Sequence, residues 1–84
     1  MKILLVDDEV AMRGTISNIL KSKGFDVLQA SGGEEALDLF KDNTDIGLVV
    51  SDIRMPEGDG VELLKSIKAI SPKTPVVIMT GYSE

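Results

Sequence analysis

Three acidic residues and a threonine sit where this chain could bring them together for phosphate or metal chemistry. Asp7 and Asp8 directly follow the apolar run 3–6, Asp52 follows the apolar run 46–50 across Ser51, and Thr80 follows the apolar run 76–79. Apolar runs without alternation suit strands covered on both faces, as in the middle of a parallel sheet. Parallel strands point their carboxyl ends to one rim, and ligands of open α/β sheets bind at that rim where the strand order reverses. If the first and third strands are neighbours, three carboxylates converge there. Two unit charges about 4 Å apart repel by roughly 4 kcal/mol at an effective dielectric near 20. Either one carboxyl takes up a proton or a hard cation enters. Oxygen donors with room for waters favour Mg²⁺ over zinc or copper. Such an ion would neutralise an incoming phosphate and leave a carboxylate free to attack phosphorus, a known role of aspartate.

Each acid also has a plainer use. Asp7, Asp8 and Glu9 complement the positive end of the helix they precede, and Asp52 is a good turn cap. Three acids and a hydroxyl, all at strand ends among otherwise apolar strands, favour the joint site over these separate explanations. Other phosphate motifs are missing. No Gly-x-x-x-x-Gly-Lys loop occurs, and Ser31-Gly32-Gly33 lacks the third glycine of a dinucleotide fingerprint, so it reads as a helix entry. Residues 52–60 have the outline of a calcium loop, but Arg54 stands where a ligand is needed.

The elements that must position these residues follow from periodicity. After the strand 3–6, Met12, Ile16, Ile19, Leu20 and the stem of Lys23 recur at helical spacing, and Gly24 is placed as the terminator. The strand 25–30 is interrupted by Asp26 and Gln29, which suits a sheet edge. Ser31 and Glu34 have the spacing of a capping box. They open a short helix with Ala36, Leu37 and Phe40 on one face, and 41–45 forms a polar connector. The strand 46–50 ends at Ser51-Asp52, and 55–60 is rich in turn residues. A third helix buries Leu63, Leu64, Ile67 and Ile70 and stops before Pro72, and 75–79 is the last strand. The apolar stripes are expected to be core. The order β-α-β-α-β-α-β predicts a parallel α/β sheet with right-handed crossovers.

Composition narrows the function. The 84 residues suffice for one domain. With no cysteine there is no disulfide or thiolate chemistry, and with no histidine no imidazole triad or ligand. A net charge of −5 argues against nucleic acid or an anionic membrane as a direct partner. The opening apolar run stops at Asp7, too short for a signal segment or membrane span, and a cytoplasmic location is expected.

Leu4-Leu5-Val6-Asp7-Asp8-Glu9, Val49-Val50-Ser51-Asp52-Ile53-Arg54-Met55-Pro56, Asp59-Gly60 and Met79-Thr80-Gly81, in this order, resemble the receiver domains of two-component response regulators. The wording around Asp52 and Met79-Thr80-Gly81-Tyr82 is nearest to receivers of nitrogen-regulation-type activators. The resemblance implies a flavodoxin-like (CheY-like) sheet ordered 2-1-3-4, with Asp52 as phospho-acceptor. It implies Mg²⁺ held by Asp8 directly, by Asp7 largely through water, by Asp52 and by the backbone carbonyl of Arg54. It makes Thr80 the hydroxyl that turns toward the phosphoryl oxygens, and a sensor histidine kinase the partner.

Family members continue through a further helix, a fifth strand carrying a phosphate-contacting lysine, and a final helix. Lys73 lies before the fourth strand, at the wrong rim to replace that lysine. Residues 1–84 are therefore expected to be a single receiver domain cut short after the fourth strand, with impaired phosphorylation. An exposed fourth strand and an uncovered sheet face should drive self-association into a homo-oligomer. The competing reading is an inactive structural or engineered fragment that keeps the fold and self-associates. A Mg²⁺-dependent phosphatase would normally need a second acid two residues beyond Asp52, where Arg54 stands. The chain is therefore expected to be no enzyme beyond Mg²⁺-dependent self-phosphorylation.

Overall fold

A computed structural model describes residues 1–52 and 60–79. Arg54 and Thr80, together with 53–59 and 80–84, lie outside the described residues. The elements run β1 (Lys2–Val6), α1 (Val10–Ser22), β2 (Asp26–Ala30), α2 (Gly33–Asp42), β3 (Ile46–Asp52), α3 (Gly60–Ile70) and β4 (Val76–Met79). All strand pairs are parallel, and the sheet order is β2-β1-β3-β4. The alternation and order expected from the sequence are therefore present, with β2 at an edge where Asp26 and Gln29 pointed. Among the described residues no helix is long and apolar enough to cross a membrane.

Alternation along the strands divides the apolar residues between two faces. Leu4, Val6, Ala30 and Val49 join Ala36 and Phe40 of α2 and Leu63 and Ile67 of α3 in one core, with Ile46 at its base. The packing of α2 on α3, β1 and β2, and of α3 on β4, covers this face. Ile3 and Leu5 point the other way and are fully buried, on the side where α1 packs on β1 and β2.

Helix ends follow local chemistry. Gly24 has φ +95°, the left-handed conformation that glycine adopts without a steric cost. Its N–H donates to the Lys21 carbonyl (3.0 Å), and the Phe25 N–H donates to the Leu20 carbonyl (3.3 Å), closing α1 in a Schellman arrangement. The capping box at α2 is shifted by one residue from the expected Ser31–Glu34 pair. Gly32 is the N-cap, and Glu35 accepts both the Ser31 N–H and the Ser31 hydroxyl at 2.9 Å. With Gly33 as the first helical residue, Glu35 rather than Glu34 occupies the third position, from which a carboxylate reaches back.

Not every apolar stripe is core. Met12 and Ile19 of α1 are about half exposed, as are Ile70 of α3 and Val77 of β4. The side of α1 that meets the sheet is centred on Ser17, its one buried residue, flanked by half-buried Arg13, Ile16 and Leu20. Of the expected stripe, Ile16 and Leu20 lie at that contact, whereas Met12 and Ile19 are rotated away from it. On the same side of the sheet, Leu48 and Val50 are only half-buried. No residue of β4 is fully buried, although its run of four apolar residues reads as a central strand.

Candidate functional site

The carboxyl ends of the strands bring the acids together. Val6 pairs with both Ala30 and Ser51, and Asp52 pairs with Met79, so β1 and β3 end side by side. The next residue after β1 is Asp7, and the last of β3 is Asp52. Asp7, Asp8 and Asp52 each offer a carboxylate oxygen, and these atoms lie within 4.8 Å of one another. Asp7 is buried at 4% exposure, Asp8 is exposed and Asp52 half-buried.

Asp7 is held at three points. Its N–H donates to the Ala30 carbonyl (3.1 Å), which continues the β1–β2 ladder one step past the strand. Its Oδ1 accepts the Glu9 N–H (2.9 Å), and its carbonyl accepts Nη1 of Arg13 (2.7 Å). Burial pushes the Asp7 carboxyl above its ordinary value near 3.8. The Glu9 N–H opposes that rise, the charges of Asp52 and Asp8 add to it, and the Arg13 guanidinium opposes it. Beneath the rim, Ser51 is fully buried and donates its hydroxyl to the Asp52 carbonyl (2.9 Å).

This arrangement fits a small hard cation. An octahedral Mg²⁺ with oxygens at about 2.1 Å places its ligands about 3 Å apart when adjacent and about 4.2 Å apart when opposite. Carboxylate oxygens within 4.8 Å of one another reach such positions by small side-chain rotations. A cation there would also offset the charges that raise the Asp7 carboxyl. The geometry brings together Asp7, Asp8 and Asp52 of the residues singled out from the sequence, whereas Arg54 and Thr80 lie outside the described residues.

Arg13 is a neighbour of the site to which sequence reasoning assigned no role. Its signal was available in principle. Helical side chains lean toward the N-terminus of their helix, so a long cation in the first turn after Asp7-Asp8-Glu9 is aimed back at the rim.

Comparison with known proteins agrees with this geometry. The family model described as "Response regulator receiver domain" matches residues 3–84. The regulatory protein AtoC of Escherichia coli (strain K12) is 43% identical over 84 residues, covering 99% of this chain and 18% of that protein. Sporulation initiation phosphotransferase F of Bacillus subtilis (strain 168) is 39% identical over 84 residues, covering 99% of this chain and 66% of the relative. The crystal structure of the response regulator TrrA from Thermotoga maritima, in complex with Mg²⁺-BeF, superposes with a TM-score of 0.92 at 34% identity. That match covers 98% of this chain and 70% of TrrA. The chain thus spans from under a fifth to about two thirds of the length of these curated relatives.

Proposed function

Because this chain belongs to the response regulator receiver domain family, we propose that Asp52 accepts a phosphoryl group, with Mg²⁺ held by Asp7, Asp8 and Asp52. The observation that carries this reading is the convergence of three carboxylates at one rim of the sheet. An oxygen of Asp52 forms the new bond to phosphorus as the bond from phosphorus to the donor breaks, and the donor leaves with the electron pair. Mg²⁺ would supply charge neutralisation for the phosphoryl oxygens. Asp7 and Asp8 would supply the negative charge that holds it, and the Arg54 carbonyl would supply a further oxygen. The Thr80 hydroxyl then turns toward the phosphoryl oxygens.

The phosphodonor partner is a sensor histidine kinase, and the setting is the cytoplasm. The chain is not an enzyme with turnover on a separate substrate; its chemistry is self-phosphorylation. The net charge of −5 weighs against direct contact with nucleic acid or an anionic membrane. Exposed Val77 and half-buried Leu48 and Val50, on the α1 side of the sheet, favour self-association of the 84-residue chain through that face.

NMR titration with Mg²⁺, then with beryllium fluoride, tests the reading. Mg²⁺ alone should shift the amides around Asp7, Asp8 and Asp52, and Asp8→Ala should weaken that response more than Glu57→Ala. Beryllium fluoride should act only with Mg²⁺ present, in keeping with the Mg²⁺-BeF complex of TrrA. An Asp52→Asn chain that responds to beryllium fluoride as the parent does would refute the acceptor assignment.

A further inference from the structure

Two polar residues meet between α1 and β2, Ser17 buried and Gln29 exposed. Ser17 is the one buried residue of α1, and Gln29 interrupts the apolar sequence of β2. Both belong to one chain of hydrogen bonds that ends at the acid rim. The Gln29 Nε2 donates to Ser17 Oγ (3.3 Å). Arg13 Nε donates to Gln29 Oε1 (3.1 Å), and Arg13 Nη1 donates to the Asp7 carbonyl (2.7 Å). A guanidinium has diverging donors in a rigid fork, so one side chain can bridge β2 and the β1–α1 connection at once. An ammonium cannot reproduce that geometry.

We propose that Arg13 is a positioning residue of the metal site, whose fork ties the Asp7 main chain to Gln29 and so aims the Asp7 carboxylate at Asp8 and Asp52. This rests on the reading of the three carboxylates as a Mg²⁺ site. Only Asp8 and Glu9 separate Asp7 from the start of α1, and that connection must keep one acid buried against its own solvation. The Ala30 and Glu9 contacts hold the Asp7 N–H and carboxylate. The Arg13 contact holds the remaining polar group of the residue, its carbonyl.

The two things Arg13 could do have opposite signs. Its positive charge near the cluster opposes a dication, so by charge alone its removal would tighten Mg²⁺ binding. Its positioning role makes removal weaken binding. Hydrogen-bond partners of metal ligands commonly contribute about 10–100-fold to metal affinity. The low end is expected here, because two other bonds still hold Asp7.

The test is Mg²⁺ titration by calorimetry or NMR on the parent chain and its Arg13→Ala, Arg13→Lys, Gln29→Ala and Asp8→Ala variants. Hydrogen exchange of the Glu9 amide without metal gives a second readout. Positioning predicts about tenfold weaker Mg²⁺ binding for Arg13→Ala. Arg13→Lys should lose nearly as much despite its retained charge, and Gln29→Ala should show a smaller loss. Glu9 amide protection should fall in the same order without metal. Adding Arg13→Ala to an Asp7→Asn chain should cost little further affinity, since the effect runs through Asp7. Unchanged or tighter binding in Arg13→Ala, or full affinity in Arg13→Lys, would overturn the proposal while Asp8→Ala still weakens binding. If Asp8→Ala also leaves affinity unchanged, the Mg²⁺ reading itself fails and the Arg13 role falls with it.

Discussion

Replacing Asp7 by asparagine should stabilise the metal-free fold and, at the same time, remove most of the stability gained from Mg²⁺. The replacement keeps the shape and can still accept the Glu9 N–H through Oδ1. It deletes a charge that is 4% exposed and lies within 4.8 Å of two other carboxylates. A like-charge pair at that separation costs roughly 3.5 kcal/mol at an effective dielectric near 20 and about 0.9 kcal/mol in water. Asp8 is exposed and Asp52 only half-buried, so the lower figure governs each pair. Relief of burial and of two such pairs, less the attraction to Arg13 and the stronger bond that a carboxylate makes to Glu9, leaves a gain of about 1 kcal/mol. For a domain of this size each kcal/mol raises Tm by about 4–8 °C.

The pH dependence of that gain has a definite sign. The folded Asp7 carboxyl titrates above 3.8, so the fold favours its neutral form. The stability this lends is complete below pH 3.8 and is lost as pH rises through the raised folded value. The advantage of Asp7→Asn is therefore small in acid and reaches its full size at neutral pH. Mg²⁺ at ten times its dissociation constant should stabilise the parent chain by about 1.4 kcal/mol and the variant far less. Denaturant melts of dilute protein, at two pH values with and without Mg²⁺, measure all four quantities. A metal-free variant less stable than its parent at neutral pH would refute the reasoning, as would one that keeps the full Mg²⁺ gain.

Three further expectations concern the scaffold. An ideal Cβ on Gly14, in the middle of α1, meets nothing within 4 Å, so Gly14→Ala should stabilise the fold by up to about 1 kcal/mol in a thermal melt. The hydrogen bonds from Ser31 hold the Glu35 carboxyl below its ordinary value, so the stability it lends is present above pH 4.5 and lost as pH falls through the lowered folded value. Glu35→Gln should therefore destabilise the fold slightly at neutral pH and not in strong acid, by less than about 1 kcal/mol because the group is exposed. A Val77→Lys variant, altered at a β4 residue 47% exposed, should remain monomeric across a concentration series in sedimentation, where the parent chain should associate. A parent that stays monomeric throughout would end the self-association reading.

The sequence carried the site more clearly than it carried the packing. Continuous apolar runs in β1 and β3 marked central strands, which puts Asp7, Asp8 and Asp52 at one rim provided the two strands are neighbours, as they are. The position of Gln29 placed β2 at an edge. Burial along α1 was only partly legible, because the contact face takes Ile16 and Leu20 from the apolar stripe but is centred on Ser17. Only the sheet decides that Ser17 faces inward while Met12 and Ile19 do not. The Ser31–Glu34 spacing failed by one residue for a local reason. Gly32 adopts the extended N-cap backbone and passes the reaching position to Glu35. Arg13 went unassigned because its partners, Asp7 and Gln29, lie six and sixteen residues away and belong to other elements.

Intact-mass spectrometry after incubation with a small-molecule phosphodonor tests the central claim most directly. With Mg²⁺ the parent chain should gain the mass of one phosphoryl group, without Mg²⁺ it should gain essentially none, and peptide mapping should place the modification on Asp52. Asp52→Asn should abolish it. Labelling that persists undiminished in Asp52→Asn, or that proceeds equally well without Mg²⁺, would contradict the assignment of Asp52 as the acceptor at a magnesium-binding rim.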